Sequence, residues 1–109
     1  EEHYACVVRR ALAYMRENLS RKISLTELAD YVGLSAAHLS RLIKKDTGKS
    51  FIDVLNQIRL ETAVQLLREG RYKVYEVSNM VGIDNYAYFY QFFKKETGKS
   101  PTEYIQNRT

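Results

Sequence analysis

Arg41 and Gln91 are the two side chains of this sequence best suited to reading the edge of a base pair, and each is followed three residues later by a lysine pair. A guanidinium can bridge O6 and N7 of a guanine, and a glutamine amide can bridge N6 and N7 of an adenine. The pairs that follow, Lys44 with Lys45 and Lys94 with Lys95, are cations suited to backbone phosphates. Ala37 and Ala87, each four residues before the reading side chain, are small enough to approach a thymine methyl, and Ser40 and Tyr90 stand directly before it. Taken singly, such residues also suit an ordinary solvated helix face. Their recurrence at matching positions is what gives them weight.

Catalytic chemistry finds no comparable footing. His3, His38 and Cys6 fall short of the three or four ligands that a zinc site needs. Gly48-Lys49-Ser50 resembles the tail of a phosphate loop, but no glycine precedes it by five residues, and no strand leads into it. A nucleophile elbow is missing as well. No turnover, no metal and no cofactor are expected.

The elements that must position these residues follow from a repeat. Lys44-Lys45-Asp46-Thr47-Gly48-Lys49-Ser50 recurs 50 residues later as Lys94-Lys95-Glu96-Thr97-Gly98-Lys99-Ser100, with six of seven positions identical. Upstream, Glu27 to Leu34 aligns with Glu76 to Ile83 at an offset of 49. Each unit reads as helix, glycine turn, helix. In the first, spanning 24–46, Ser24 and Glu27 form an S-x-x-E capping box, and Leu25, Leu28, Ala29 and Val32 recur at helical spacing. Gly33 then stops the helix, and Ser35 caps the next, over about 36–46, which turns Leu39, Leu42 and Ile43 inward. The second unit, 73–96, repeats this with Val74, Val77, Ser78 and Val81, then Gly82, then a helix over about 85–96 burying Phe89, Phe92 and Phe93. Lys73 stands where the first unit has its capping serine.

A central linker helix over 50–69 separates the units, with Phe51, Val54, Leu55, Ile58, Thr62, Ala63, Leu66 and Leu67 expected on one face. Residues 4–19 predict an amphipathic helix with Val8, Ala11, Leu12, Met15 and Leu19 on its stripe, and Ser100-Pro101-Thr102-Glu103 opens a short final helix. The fold class is therefore all-α: seven helices in two helix-turn-helix subdomains joined by a long central helix. Opposite Leu39 on the helical wheel lie Ala37, Ser40, Arg41 and Lys44; opposite Phe89 lie Ala87, Tyr90, Gln91 and Lys94. Helix N-termini near Ser35 and Asn85 offer amides to phosphates. Tyr88 and His38 read as rim packing of the cores, while Tyr86 and Tyr90 stand open between core edge and groove. Two reading helices about 34 to 36 Å apart would enter two successive major-groove segments of one duplex as a monomer.

Composition is consistent with this reading. The 109 residues carry a net charge of +4, and placing the lysine pairs and Arg41 on two equivalent helices makes the local field stronger than that sum. Glu27, Asp30, Glu61 and Glu76 fall elsewhere. With one cysteine there is no internal disulfide, so a reducing, cytoplasmic compartment is expected and Cys6 reads as a small buried residue. No apolar run is long enough for a membrane span.

At this point the sequence resembles the DNA-binding domain of the AraC/XylS family of bacterial transcription regulators. The resemblance runs from about Val8 to Tyr104 and is most specific in Arg59-Leu60, Ala63, Leu66-Leu67, Glu76, Val81-Gly82, Asp84, Tyr88-Phe89, Phe93-Lys94-Lys95, Gly98, Ser100-Pro101 and Tyr104. It implies that 1–109 form one such domain, binding promoter DNA and usually activating transcription by recruiting RNA polymerase. The family's groove-facing positions match Ala37, Ser40 and Arg41, and Tyr86, Ala87 and Gln91. Five positions depart from the pattern: Ser78 replaces an alanine, Ile83 an aromatic, Tyr90-Gln91 a Ser-Arg pair, and Ile105 an arginine. The stretch Ser50 to Arg59 also resembles members with a phosphoacceptor receiver domain upstream, as in two-component response regulators. That implies a regulatory domain outside this sequence. A helical protein-interaction module on the same scaffold is the competing reading, and salt-sensitive duplex binding separates the two.

Overall fold

The computed structural model describes residues 2–106, with side chains from Tyr4 to Ile105; His3 lies outside the described side chains. Seven helices and no strand make up the described residues: α1 (Glu2–Glu17), α2 (Leu25–Val32), α3 (Ala36–Thr47), α4 (Phe51–Glu69), α5 (Val74–Met80), α6 (Tyr86–Thr97) and α7 (Pro101–Gln106). They divide into two compact units, Glu1–Ile58 and Arg59–Thr109.

The first unit closes around α1, α2, α3 and the first half of α4. Val7, Ala11, Met15, Leu28, Leu39, Ile43, Val54, Leu55 and Ile58 form one buried cluster. Helix α1 is displaced from its expected span, beginning at Glu2 and ending at Glu17. Leu19 lies past its end and is still buried, so hydrophobic spacing carried the expected helix past its last turn. Cys6 is exposed, contrary to expectation. The inward side of α1 at that level is taken by the adjacent Val7 and Val8, which turns Cys6 to solvent.

The turn between α2 and α3 is fixed by backbone geometry. Gly33 adopts φ +80°, a left-handed conformation in which a β-carbon is strained, and its N–H reaches the Asp30 carbonyl at 3.3 Å. The Leu34 N–H bonds the Ala29 carbonyl at 3.0 Å, closing the end of α2. Ser35 then accepts from the His38 amide at 3.1 Å and starts α3.

The second unit is built by the same steps around Ala63, Leu67, Val77, Val81, Phe89 and Phe93. Here Lys73 offers no side-chain cap, and the Glu76 carboxylate accepts from the Lys73 N–H at 2.8 Å instead. One half of the capping box thus survives without its serine. The buried Ser78 hydroxyl donates to the Ile83 carbonyl and ties α5 to its turn. Tyr104 of α7 accepts from Arg68 Nε at 2.9 Å and sets its ring edge-on to Phe93 at 5.6 Å, holding the last helix on the core.

Helix α4 does not carry a single apolar face. Phe51, Val54, Leu55 and Ile58 belong to the first core and Ala63 and Leu67 to the second, with Thr62 and Leu66 only partly covered. A helix that serves two cores divides its apolar positions between them.

The repeated heptapeptide has one physical job in both copies. Thr47 donates to the Ile43 carbonyl at 2.6 Å and accepts from the Lys49 N–H at 3.1 Å; Thr97 does the same with Phe93 and Lys99 at 2.9 and 3.3 Å. Gly48 and Gly98 reverse the chain at φ +79° and +84°. Ser50 and Ser100 then cap α4 and α7.

Candidate nucleic-acid interface

Helix α3 buries Leu39 and Ile43 completely and exposes Ala37, Arg41, Lys44 and Lys45 on its other sides, with Ser40 half-buried. Helix α6 buries Phe89 and Phe93 and exposes Tyr86, Ala87, Gln91, Lys94 and Lys95, with Tyr90 half-buried. Each unit therefore gathers its own set of candidate residues on one helix. Among the described residues, neither Arg41 nor Gln91 has a side-chain partner within the chain, which leaves their full hydrogen-bonding capacity for a ligand. Lys45 and Lys95 make no ion pair there either. Lys44 reaches the Gly48 carbonyl at 3.2 Å, and the Glu103 carboxyl is held below its ordinary value first by its hydrogen bonds with Ser100, with Lys94 adding to the effect. Lys45 also borders a cleft of about 340 Å³ between α1 and α3.

The N-termini of both helices are partly committed. Ser35 accepts from the amide of His38, and the Asn85 side chain accepts from the amide of Tyr88 at 3.0 Å. Those two amides are thereby withdrawn, and what remains for an anion is the first helical amides before them, with the Ser35 hydroxyl and Asn85 side-chain N–H as further donors.

The tyrosines are arranged differently from expectation in one respect. Tyr88 is not rim packing: it is 57% exposed, its ring stacked on Phe92 at 6.2 Å. Phe92 itself is only partly covered, because Phe89 and Phe93 already fill the core beneath α6. His38 does pack at the rim, half-buried and edge-on to Tyr4 at 5.4 Å. Tyr86 and Tyr90 face each other edge-on at 6.5 Å, Tyr86 the more exposed.

A polar clasp that sequence spacing did not signal holds α2, and with it the first turn, in place. The Tyr14 hydroxyl donates to Glu27 Oε2 at 2.5 Å, Arg21 donates to Glu27 Oε1 at 3.0 Å and pairs with Oε2, and the same guanidinium reaches the Tyr14 oxygen at 2.9 Å. The Arg21 hydrogen bond, then that of Tyr14, holds the Glu27 carboxyl down at about 2. Tyr14 also packs against Tyr31 at 4.4 Å, and Arg10 lies over the Tyr31 ring at 5.3 Å. The three polar members come from α1, a loop and α2, so no single periodicity links them.

No helix of the described residues is long and apolar enough to cross a membrane, and no group of three or more His, Cys, Asp and Glu side chains among them could hold a metal ion.

Two helix-turn-helix units with exposed, cation-flanked second helices define a DNA-binding domain of the kind carried by transcriptional regulators. Comparison with known proteins agrees: residues 28–107 match the family model described as a helix-turn-helix domain. The chain belongs to the AraC-type helix-turn-helix family. It is 37% identical over 94 residues to the MmsAB operon regulatory protein of Pseudomonas aeruginosa, covering 86% of this chain and 31% of that protein. It is 32% identical over 93 residues to the bifunctional transcriptional activator/DNA repair enzyme AdaA of Bacillus subtilis, covering 85% and 44%. The chain thus spans less than half the length of these curated relatives.

Among solved structures, the C-terminal domain of AraT, a response regulator from Geobacillus stearothermophilus, superposes with a TM-score of 0.86 at 38% identity, over 94% of this chain and 86% of that one. The DNA-binding domain of the global transcriptional factor AdpA, solved with a target DNA, superposes at 0.79 and 27% identity, over 94% and 89%.

Proposed function

We propose that α3 and α6 each enter a major groove, so that the chain reads two successive segments of promoter DNA, and that it does so as the effector domain of a longer bacterial transcription activator. In this reading Arg41 bridges a guanine, Gln91 an adenine, and Ala37, Ser40, Tyr86, Ala87 and Tyr90 shape the fit to the bases. Lys44, Lys45, Lys94 and Lys95, with the helix starts at Ser35 and Asn85, fix the register on the phosphates.

The observation that carries the proposal is the matched exposure of Arg41 and Gln91, 50 residues apart, each on the helix face opposite a core residue and each without a partner among the described residues. Because an arginine and a glutamine read different bases, the two half-sites differ, and a single chain recognises an asymmetric site. No catalytic step is assigned to this chain. The similarity to a response regulator's C-terminal domain supports an upstream receiver domain as the source of regulation; RNA polymerase as the downstream partner and the cytoplasm as the place of action complete the proposal. Selection of bound sequences from random duplex DNA tests the reading: it should return one asymmetric site whose two conserved blocks lie one helical turn apart. Enrichment of no sequence, with no salt-sensitive duplex binding, would reject it.

A further inference from the structure

The two proposed reading helices differ at their flanks. About 100° to either side of the Ala87–Gln91 strip, α6 carries an aromatic pair one helical turn apart: Tyr86 with Tyr90, and Tyr88 with Phe92. Each pair is in ring contact, the first edge-on at 6.5 Å and the second stacked at 6.2 Å with 12° between the planes. In both, the first-turn tyrosine is exposed and its partner is half-buried, so the inner ring braces the outer one. The matching positions of α3 are Ala36 with Ser40 and His38 with Leu42, all half-buried. His38 packs edge-on against Tyr4 and Leu42 lines the cleft beside α1, so α3 presents no exposed ring on either flank.

Tyr86 already has a place in the reading above, and Tyr88 has none. Its ring has no room in the core, because Phe89 and Phe93 are completely buried there, and stacking on Phe92 keeps it at the flank. A helix with its side chains is about 10 to 12 Å across, and the major groove is about 12 Å wide. Side chains on the flanks of an inserted helix therefore meet the groove walls, which are the sugar–phosphate backbones. The apolar face of a deoxyribose is the part of that wall that suits an aromatic ring.

We propose that Tyr88, braced by Phe92, packs on a deoxyribose of the groove wall and sets the register at which Gln91 meets its base. This rests on the DNA-binding reading and gives α6 a positioning residue for which α3 has no counterpart. A partner protein suits the position less, since a protein seated on Tyr88 would obstruct the adjoining strip of Ala87 and Gln91. Because the contact is neutral, it strengthens binding without releasing counterions.

The test uses the 109-residue chain and the duplex returned by the selection above, followed by fluorescence anisotropy over a range of salt. Tyr88→Ala should weaken binding about four- to tenfold, the loss expected from uncovering roughly half of an aromatic side chain, with the slope of log K against log salt unchanged. Discrimination at the base made permissive by Gln91→Ala should fall with it, and discrimination at the base made permissive by Arg41→Ala should not. In a Gln91→Ala background the loss from Tyr88→Ala should shrink, because the side chain it positions is gone. Tyr88→Phe keeps the ring and should keep both affinity and discrimination.

If the wild type binds the duplex and Tyr88→Ala retains affinity and discrimination, the wall contact is refuted while the DNA-binding reading stands. That result would leave the exposed ring for a protein partner. Equal loss of discrimination at both bases, with a lowered unfolding temperature, would show that Tyr88 only supports the fold. A loss in Tyr88→Phe as large as that in Tyr88→Ala would move the contact from the ring to the hydroxyl and overturn the proposal as well. Failure of the wild type to bind any duplex rejects both readings together.

Discussion

Replacing Arg41 with alanine separates the proposed groove-reading role from every structural one. Its side chain is exposed and makes no hydrogen bond or ion pair among the described residues, while Leu39 and Ile43 hold α3 on the core. Arginine and alanine are both good helix formers, so stability should change by no more than about 0.5 kcal/mol. Loss of a bidentate contact to one base should cost about 1 to 3 kcal/mol on the selected site, or roughly 5- to 150-fold in affinity. The loss should concentrate on sequences carrying the preferred base at one position, and that position alone should become permissive in a repeated selection. Arg41→Lys keeps the charge but not the planar fork, so discrimination should fall there too. Fluorescence anisotropy with the selected duplex and single-base variants reads the affinity, and thermal unfolding checks the fold. A uniform loss on all sequences, with the salt slope reduced by about 1, would show that Arg41 touches only phosphate and would refute the assignment.

Three further outcomes follow from the geometry. Gly33→Ala should destabilise the chain by about 1 to 2 kcal/mol from backbone strain alone, because φ is +80° and a β-carbon there would meet nothing within 4 Å; an unchanged unfolding midpoint would contradict this. Ser78→Ala removes a buried donor from the Ile83 carbonyl and should cost about 1 to 3 kcal/mol, measured by urea denaturation, with no change taken as evidence that the turn holds without it. Glu27, held at about 2 in the folded chain against an ordinary 4.5, contributes stability that is complete above about 4.5 and is lost as pH falls toward 2. The unfolding temperature of the wild type should therefore fall across that window more steeply than that of Glu27→Gln, and parallel curves would refute the clasp.

Much of this was readable from sequence because the strongest signals are local. Gly33, Ser35, Gly48 and Gly98 mark turns by chemistry that acts within a few residues, and the structure uses each for that purpose. The exposure of Arg41 and Gln91 was legible for the same reason: with the helix and its core residue known, the opposite face follows from the period. What escaped depends on packing between elements. Cys6 looked buried because its residue type usually is, but adjacent valines occupy the core side of α1. Tyr88 looked like rim packing, yet Phe89 and Phe93 leave the core no room for it. The contact of Arg21 and Tyr14 with Glu27 joins residues 6 and 13 positions apart, so neither helical nor strand spacing announces it. The single apolar face expected for α4 failed because a periodic pattern does not say how many cores a helix serves.

On the proposed reading, one scaffold carries two specificities in its two units. In each, the exit from the reading helix is set by the threonine, glycine, lysine and serine of the repeated heptapeptide, and the entry is set by Ser35 or Asn85. The lysine pairs fall in the last turn, where cations also favour the carbonyl end of the helix dipole. Charge placement, capping and chain reversal are thus fixed by residues outside the proposed base-facing set. Between them, position 41 and its counterpart 91 are exposed and have no partner among the described residues, so exchanging arginine and glutamine there should cost no more than about 0.5 kcal/mol of stability. If that separation holds, Gln91→Arg should fold as well as the wild type and shift the second half-site toward guanine. Unchanged base preference in that variant, with the chain folded, would mean that position 91 does not read the groove and that α6 selects its site by other residues.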